Sequence, residues 1–192
     1  MQYVILGLLV LSGPQSLYDL HKQFGQGVSL FYSASFGSIQ RALQQLVSQG
    51  LVTVSEARDG RRGRKLHTIT EAGLGAWHDW MLAPTTGSDA ETTMLAKVFL
   101  VGALPDPADR AEVIARLRER VASDLGGLRA AAAGIDAQPI PVEHQAVFAY
   151  QRATLDYGIR AHELAARWLD ELGRDVPPKT PPETPASTVV RG

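Results

Sequence analysis

Between Ser35 and Ser48 the chain carries two sets of residues at helical spacing. Ile39, Leu43, Leu46 and Val47 fall on one side, and Ser38, Gln40, Arg41, Gln44 and Gln45 fall on the other. A glutamine amide can hydrogen-bond bidentately to the edge of adenine, and an arginine guanidinium to guanine. Such a face, opened by Ser35, has the chemistry to read the major groove of duplex DNA. A few residues on, Arg58, Arg61, Arg62, Arg64 and Lys65 crowd into one short segment. Their cations suit phosphates, where neutralisation releases counterions, or the minor groove. A polar helix face is usually only a solvated face, and a basic loop usually only a loop. Their order along the chain is what favours nucleic acid.

The charge distribution agrees. The whole chain is at −1, but from Gln15 to His67 seven Lys/Arg meet three Asp/Glu, a local net charge of +4. Beyond Ala83 twelve basic residues face fifteen acidic ones. Other chemistry is poorly supplied. There is no cysteine, hence no disulfide, thiolate zinc site or cysteine nucleophile, which fits a reducing, cytoplasmic setting. The five histidines are scattered without ligand spacing, no Ser/His/Asp set or phosphate-binding glycine loop stands out, and neither enzyme activity nor a cofactor or metal is expected. The apolar opening run Tyr3–Leu11 lacks a preceding Lys or Arg and a following cleavage site, and it is too short to span a bilayer. A buried first helix is expected there.

The elements that would position these residues are legible. Gly13-Pro14 closes the first helix near Ser12, and Ser16 with Asp19 three residues on has the form of a capping box. The second helix should bury Leu17, Leu20, His21 and Phe24. After Gly50 the period changes: Leu51–Ser55 and Lys65–Thr70 read as two strands of a hairpin with Asp59-Gly60 at its turn. Thr70 caps a fourth helix, Glu71 to Met81, with Leu74, Trp77 and Met81 on one side. Residues 84–90 read as a linker. Three further helices follow over about 91–103, 107–133 and 142–172, the first burying Met94, Leu95, Val98 and Phe99. The proline-rich tail 176–192 is expected to be disordered. The fold class is therefore mainly α with a small β-hairpin wing: a winged helix-turn-helix over 1–83 and a helical domain over 91–175.

In this order the sequence resembles the PadR family of transcriptional regulators. The resemblance rests on Ile5–Leu9, Ser12-Gly13-Pro14, Leu17–Leu20, Gly37-Ser38-Ile39, Ala42-Leu43, Gly50-Leu51-Val52, Gly63-Arg64-Lys65 and Thr68–Gly73. Met94–Leu100 is similar to the opening of the longer C-terminal domain of one subgroup. The resemblance implies a dimeric DNA-binding repressor. Family members usually carry Tyr-Pro after Gly-x-Ile, and here those positions hold Gln40 and Arg41. Tyr18 of the second helix is kept and joins the expected DNA contacts.

Phe148, Leu155, Ile159, His162, Ala166 and Leu169 form a coiled-coil-like seam on the last helix, taken as the homodimer element. A second stripe holds Tyr150, Tyr157, Leu164 and Trp168, so one stripe could face its own chain and the other a partner. A two-fold dimer would match a palindromic operator. Trp77, Trp80, Phe99 and Trp168 are candidates for binding an aromatic or drug-like effector, although aromatics at this spacing equally serve as core. Two alternatives to the repressor reading are a MarR-like regulator and a winged-helix protein-interaction module.

Overall fold

A computed structural model describes residues 1–56, 64–87 and 89–175. The elements run α1 (Gln2–Ser12), α2 (Leu17–Gln26), α3 (Phe36–Ser48), β1 (Val52–Glu56), β2 (Lys65–Ile69), α4 (Glu71–Leu82), α5 (Ala90–Leu100), α6 (Pro107–Asp136) and α7 (Gln145–Asp175). The tail 176–192 lies outside the described residues, as do Arg58, Arg61 and Arg62.

Local chemistry sets the boundaries. Ser16 Oγ accepts the Asp19 amide at 3.2 Å, while Asp19 Oδ2 accepts the Ser16 amide at 3.0 Å, completing the capping box of α2. Ser35 caps α3 through the Ser38 amide, and Thr70 caps α4 through the Gly73 amide. Asp106 caps α6, with Pro107 in its first turn. Gly13 and Gly50 follow α1 and α3 at φ 71°, where a side chain would be strained. Strands β1 and β2 pair antiparallel, Val52 opposite Ile69 and Glu56 opposite Lys65.

Helix α1 is apolar all round and is accordingly enclosed, with Val4 to Leu9 buried. It packs on α3, α4 and α5. Gly7 is closely covered: a Cβ there would lie 2.5 Å from the Leu100 side chain and 2.8 Å from Trp77 Nε1. The resulting core is continuous from Ile5, Leu20 and Leu43 through Leu100 to Leu117 and Leu169. The segment 84–90 separates α4 from α5, yet Thr85 within it is buried and its carbonyl accepts from Arg120.

Several side chains turn out differently from their periodicity. His21 is exposed and meets the edge of Phe36. Val47 is exposed, and Ala42 completes the inner face of α3 instead. On α4, Gly73 is buried and Leu74 exposed, and the chain just before β1 comes too close for a side chain at 73: a Cβ there would meet the Leu51 carbonyl at 2.1 Å. On α5, Phe99 is exposed while Lys97 is buried beside Met94, Ala96 and Leu100. The last turn expected in this helix, Val101–Ala103, is 3₁₀.

Candidate nucleic-acid interface

Burial of Ile39, Ala42, Leu43 and Leu46 turns the opposite face of α3 outward. Gln40, Arg41, Gln44 and Gln45 are all exposed. They do not stand alike. Gln45 Oε1 accepts from Gln2 Nε2 at 3.1 Å, which draws it toward the start of α1. Gln40 and Gln44 instead line a groove between α3 and the hairpin, with Tyr18, Phe36, Arg64 and Lys65 on its other walls. Tyr18 is 70% exposed, so its hydroxyl is open to a partner. Ser35 and Ser38 serve the backbone first: Ser35 Oγ caps the helix, and Ser38 Oγ donates to the Ser35 carbonyl at 2.7 Å.

The hairpin is fastened to α2 and to the residue just before its cap. Gln15 and His67 exchange backbone hydrogen bonds of 3.0 and 2.7 Å. Arg64 Nη2 donates to Asp19 Oδ2 at 2.8 Å. The Ser16 hydroxyl, and then the Arg64 guanidinium, hold the Asp19 carboxyl down to about 2. Arg64, one of the residues expected to serve phosphates, makes this tie to α2. Lys65 is exposed at the loop end of the hairpin, opposite Glu56. Burial lowers the pKa of His67, against the raising effect of the Gln15 carbonyl.

The residues expected at an effector site do not converge. Trp77 is in the core against α1. Trp80 stacks on Tyr3 with centroids 5.2 Å apart, and Lys97 Nζ lies 5.4 Å from its ring centre. Phe99 meets Phe31, and Trp168 is half-buried on α7. Trp77 and Trp80 line different cavities. The seam expected on α7 is divided by its burial. Leu169 is completely enclosed by its own chain, and Phe148, Leu155, Ile159 and His162 are half-buried on the same stripe. The open stripe of α7 is Val147, Tyr150, Tyr157 and Leu164, at 59–80% exposure.

Sequence reasoning did not find the Asp19–Arg64 tether, the Gln15–His67 bridge or the burial of Lys97. The capping box made Asp19 visible, but nothing local points to a partner 45 residues away. Lys97 sits one position off the apolar periodicity of α5, so its residue type and place give no sign of burial. Among the described residues no group of His, Cys, Asp and Glu is arranged to hold a metal ion, and no helix is long and apolar enough to cross a membrane.

Three helices, a recognition-type third helix and an anchored two-stranded hairpin define a winged helix-turn-helix, extended by a long helical arm. Residues 5–78 match the transcriptional regulator PadR-like family, and residues 92–174 match the C-terminal domain described as virulence activator alpha. Residues 5–78 are thus a PadR-like domain, the mark of a transcriptional regulator rather than of an enzyme. The chain is 27% identical over 165 residues to a probable transcriptional regulator of Mycobacterium tuberculosis, covering 81% of this chain and 86% of that one. Solved structures similar to it include Bacillus subtilis PadR in complex with operator DNA, at 22% identity, 90% and 97% coverage and a TM-score of 0.40. The Vibrio cholerae virulence activator AphA is 20% identical, with 91% and 96% coverage and a TM-score of 0.39.

Proposed function

We propose that this chain is a cytoplasmic, homodimeric repressor that binds a palindromic operator sequence-specifically and is released by a small-molecule effector. The observation that carries the reading is the exposed Gln40–Arg41–Gln44 face of α3 beside a hairpin fastened to α2. Amide and guanidinium groups on that face can distinguish adenine and guanine in the major groove. The missing tyrosine after Gly37-Ser38-Ile39 leaves Tyr18 as the exposed phenol on this side of the molecule. Lys65, with the arginines of the hairpin, supplies sequence-independent attraction to the backbone.

The dimer reading is supported by the open stripe of α7. Val147, Tyr150, Tyr157 and Leu164 expose a row of large apolar side chains along one helix, which is unusual for a solitary surface. A second copy would cover it, and two-fold pairing would present two α3 helices to adjacent half-sites. Selection of bound DNA from a random pool tests the reading. An enriched inverted repeat is expected; recovery of unenriched sequence, or of a single half-site, overturns it. A reporter placed behind the selected site then shows whether occupancy lowers transcription.

A further inference from the structure

Thr85 is 6% exposed, and among the described residues its hydroxyl has no hydrogen-bond partner. Buried polar groups in that condition are rare and call for an explanation. Thr85 borders a cavity of about 70 Å³ where the 84–90 segment meets α5, α6 and α7. Met94, Leu117, Val121, Ala161 and Ala165 give it apolar walls.

Its polar border has an uneven charge. Arg120 is the one cationic side chain there. Its Nε donates to Asp124 Oδ2 at 2.7 Å, and its Nη1 donates to the Thr85 carbonyl, so its charge is already matched. His162 lies 2.8 Å through Nδ1 from the Gly158 carbonyl, a contact that needs the proton on Nδ1. Glu91, in the first turn of α5, is exposed at the border and forms no ion pair among the described residues. A carboxylate entering here would face Glu91 and Asp124 with no uncommitted cation. An ammonium group would gain from Glu91.

The geometry points to a binding site for a small organic cation with a compact branched apolar head. The cavity has roughly half the volume of the apolar cavity of about 150 Å³ that accepts benzene. It therefore encloses a branched alkyl group rather than a ring, with the ammonium at the border beside Glu91. This deepens the effector reading above and rests on it only for the consequence at DNA. That consequence follows from Thr85: it lies on the strand of chain joining α4 to α5, so an occupant touches the connection between the DNA-reading unit and the helical arm.

Three probes of one shape decide the matter: 3-methylbutylammonium, 3-methylbutanol and 3-methylbutanoate, each titrated into the full-length protein while Tm is followed. The ammonium should raise Tm with concentration, the alcohol less, and the carboxylate not at all. Ala165→Leu, which fills the cavity, should abolish the ammonium effect. Glu91 is exposed, so Glu91→Gln leaves the fold intact even if the filled variant fails; it should weaken the ammonium about five-fold and leave the alcohol unchanged. The site is overturned if no probe raises Tm, if the carboxylate binds as well as the ammonium, or if Glu91→Gln changes nothing. Operator affinity is measured on the same samples. Loss of operator binding without any probe would sink the DNA reading and leave the cavity standing. An ammonium that raises Tm but leaves operator affinity unchanged would remove only the coupling.

Discussion

Arg64, just before β2 at the loop end of the hairpin, donates to the Asp19 carboxylate in the first turn of α2 at 2.8 Å. The same carboxylate closes the capping box on Ser16. One acidic side chain thus ends a helix and holds the wing. Asp19→Asn should cost about 1 kcal/mol of stability at neutral pH, mostly through the cap. The sign with pH follows from its depressed pKa. Held at about 2 in the fold against an ordinary value of 3.8, the carboxyl contributes its full stabilisation above about pH 4 and loses it as pH falls toward 2. Urea melts of the parent and Asp19→Asn should differ at pH 7 and converge by pH 2.

The face of α3 should divide into readers and a bystander. Gln40→Ala and Arg41→Ala should each cost about 1–3 kcal/mol at particular operator positions and relax preference there. Gln45→Ala should do less, because Gln45 is occupied by Gln2. Binding measured across operator variants checks this, and a larger effect at Gln45 than at Gln40 would reverse the assignment. Lys65→Ala should instead weaken binding to all sequences alike and lower the slope of log affinity against log salt by about one.

How much of this was legible in the sequence differs by kind. Helix ends were plain, since Ser16, Ser35 and Thr70 cap where their residue types say they should. The hairpin was plain from its change of period. What one helix presents to another was not. Periodicity put Phe99 inside and could not show that α5 meets α1 through Leu100 and Ala96 with Lys97 drawn in. It found two stripes on α7 but not which one α6 would cover. That choice belongs to packing, where Leu169 joins the core and Tyr157 does not. The wing arginines at 58, 61 and 62 lie outside the described residues, and their role rests on charge alone.

Lys97 gives a second pH signature. Burial, and to a lesser extent the Arg116 charge, lower its pKa from the usual 10.5 to about 8. Between those values the unfolded chain binds more protons than the folded one, so stability should rise with pH from about 8 to about 10.5. Lys97→Met should remove that rise while costing little at neutral pH, because the ammonium no longer has to be desolvated. The lost hydrogen bond to the Ala83 carbonyl works against this gain. Melts of both proteins at pH 7.5 and 10 settle it: an unchanged difference between the two pH values would mean Lys97 does not titrate in that window.

The two stripes of α7 should respond to mutation in different currencies. Leu169→Ala empties a fully enclosed site and should cost about 2–5 kcal/mol of folding stability, whatever the assembly state. Tyr157→Glu lies on the open stripe and should leave the folded protomer intact while weakening self-association. Sedimentation at micromolar concentration, with operator binding alongside, separates the outcomes. A Tyr157→Glu protein that remains dimeric would move the interface off this stripe.

Gly7, pressed between Trp77 and Leu100, has a bearing on engineering. Regulators of this architecture invite chimeras in which a DNA-reading head is joined to a foreign sensing arm. Here α1 supplies the interior of the head and the seat of α5 at once, so a cut anywhere in 84–90 divides one hydrophobic interior instead of two. A graft would have to carry the α5 face along with the head, or recreate a surface that fits a glycine. On the proposed reading, exchange of specificity would therefore be attempted at the surface of α3, not by moving the head as a unit.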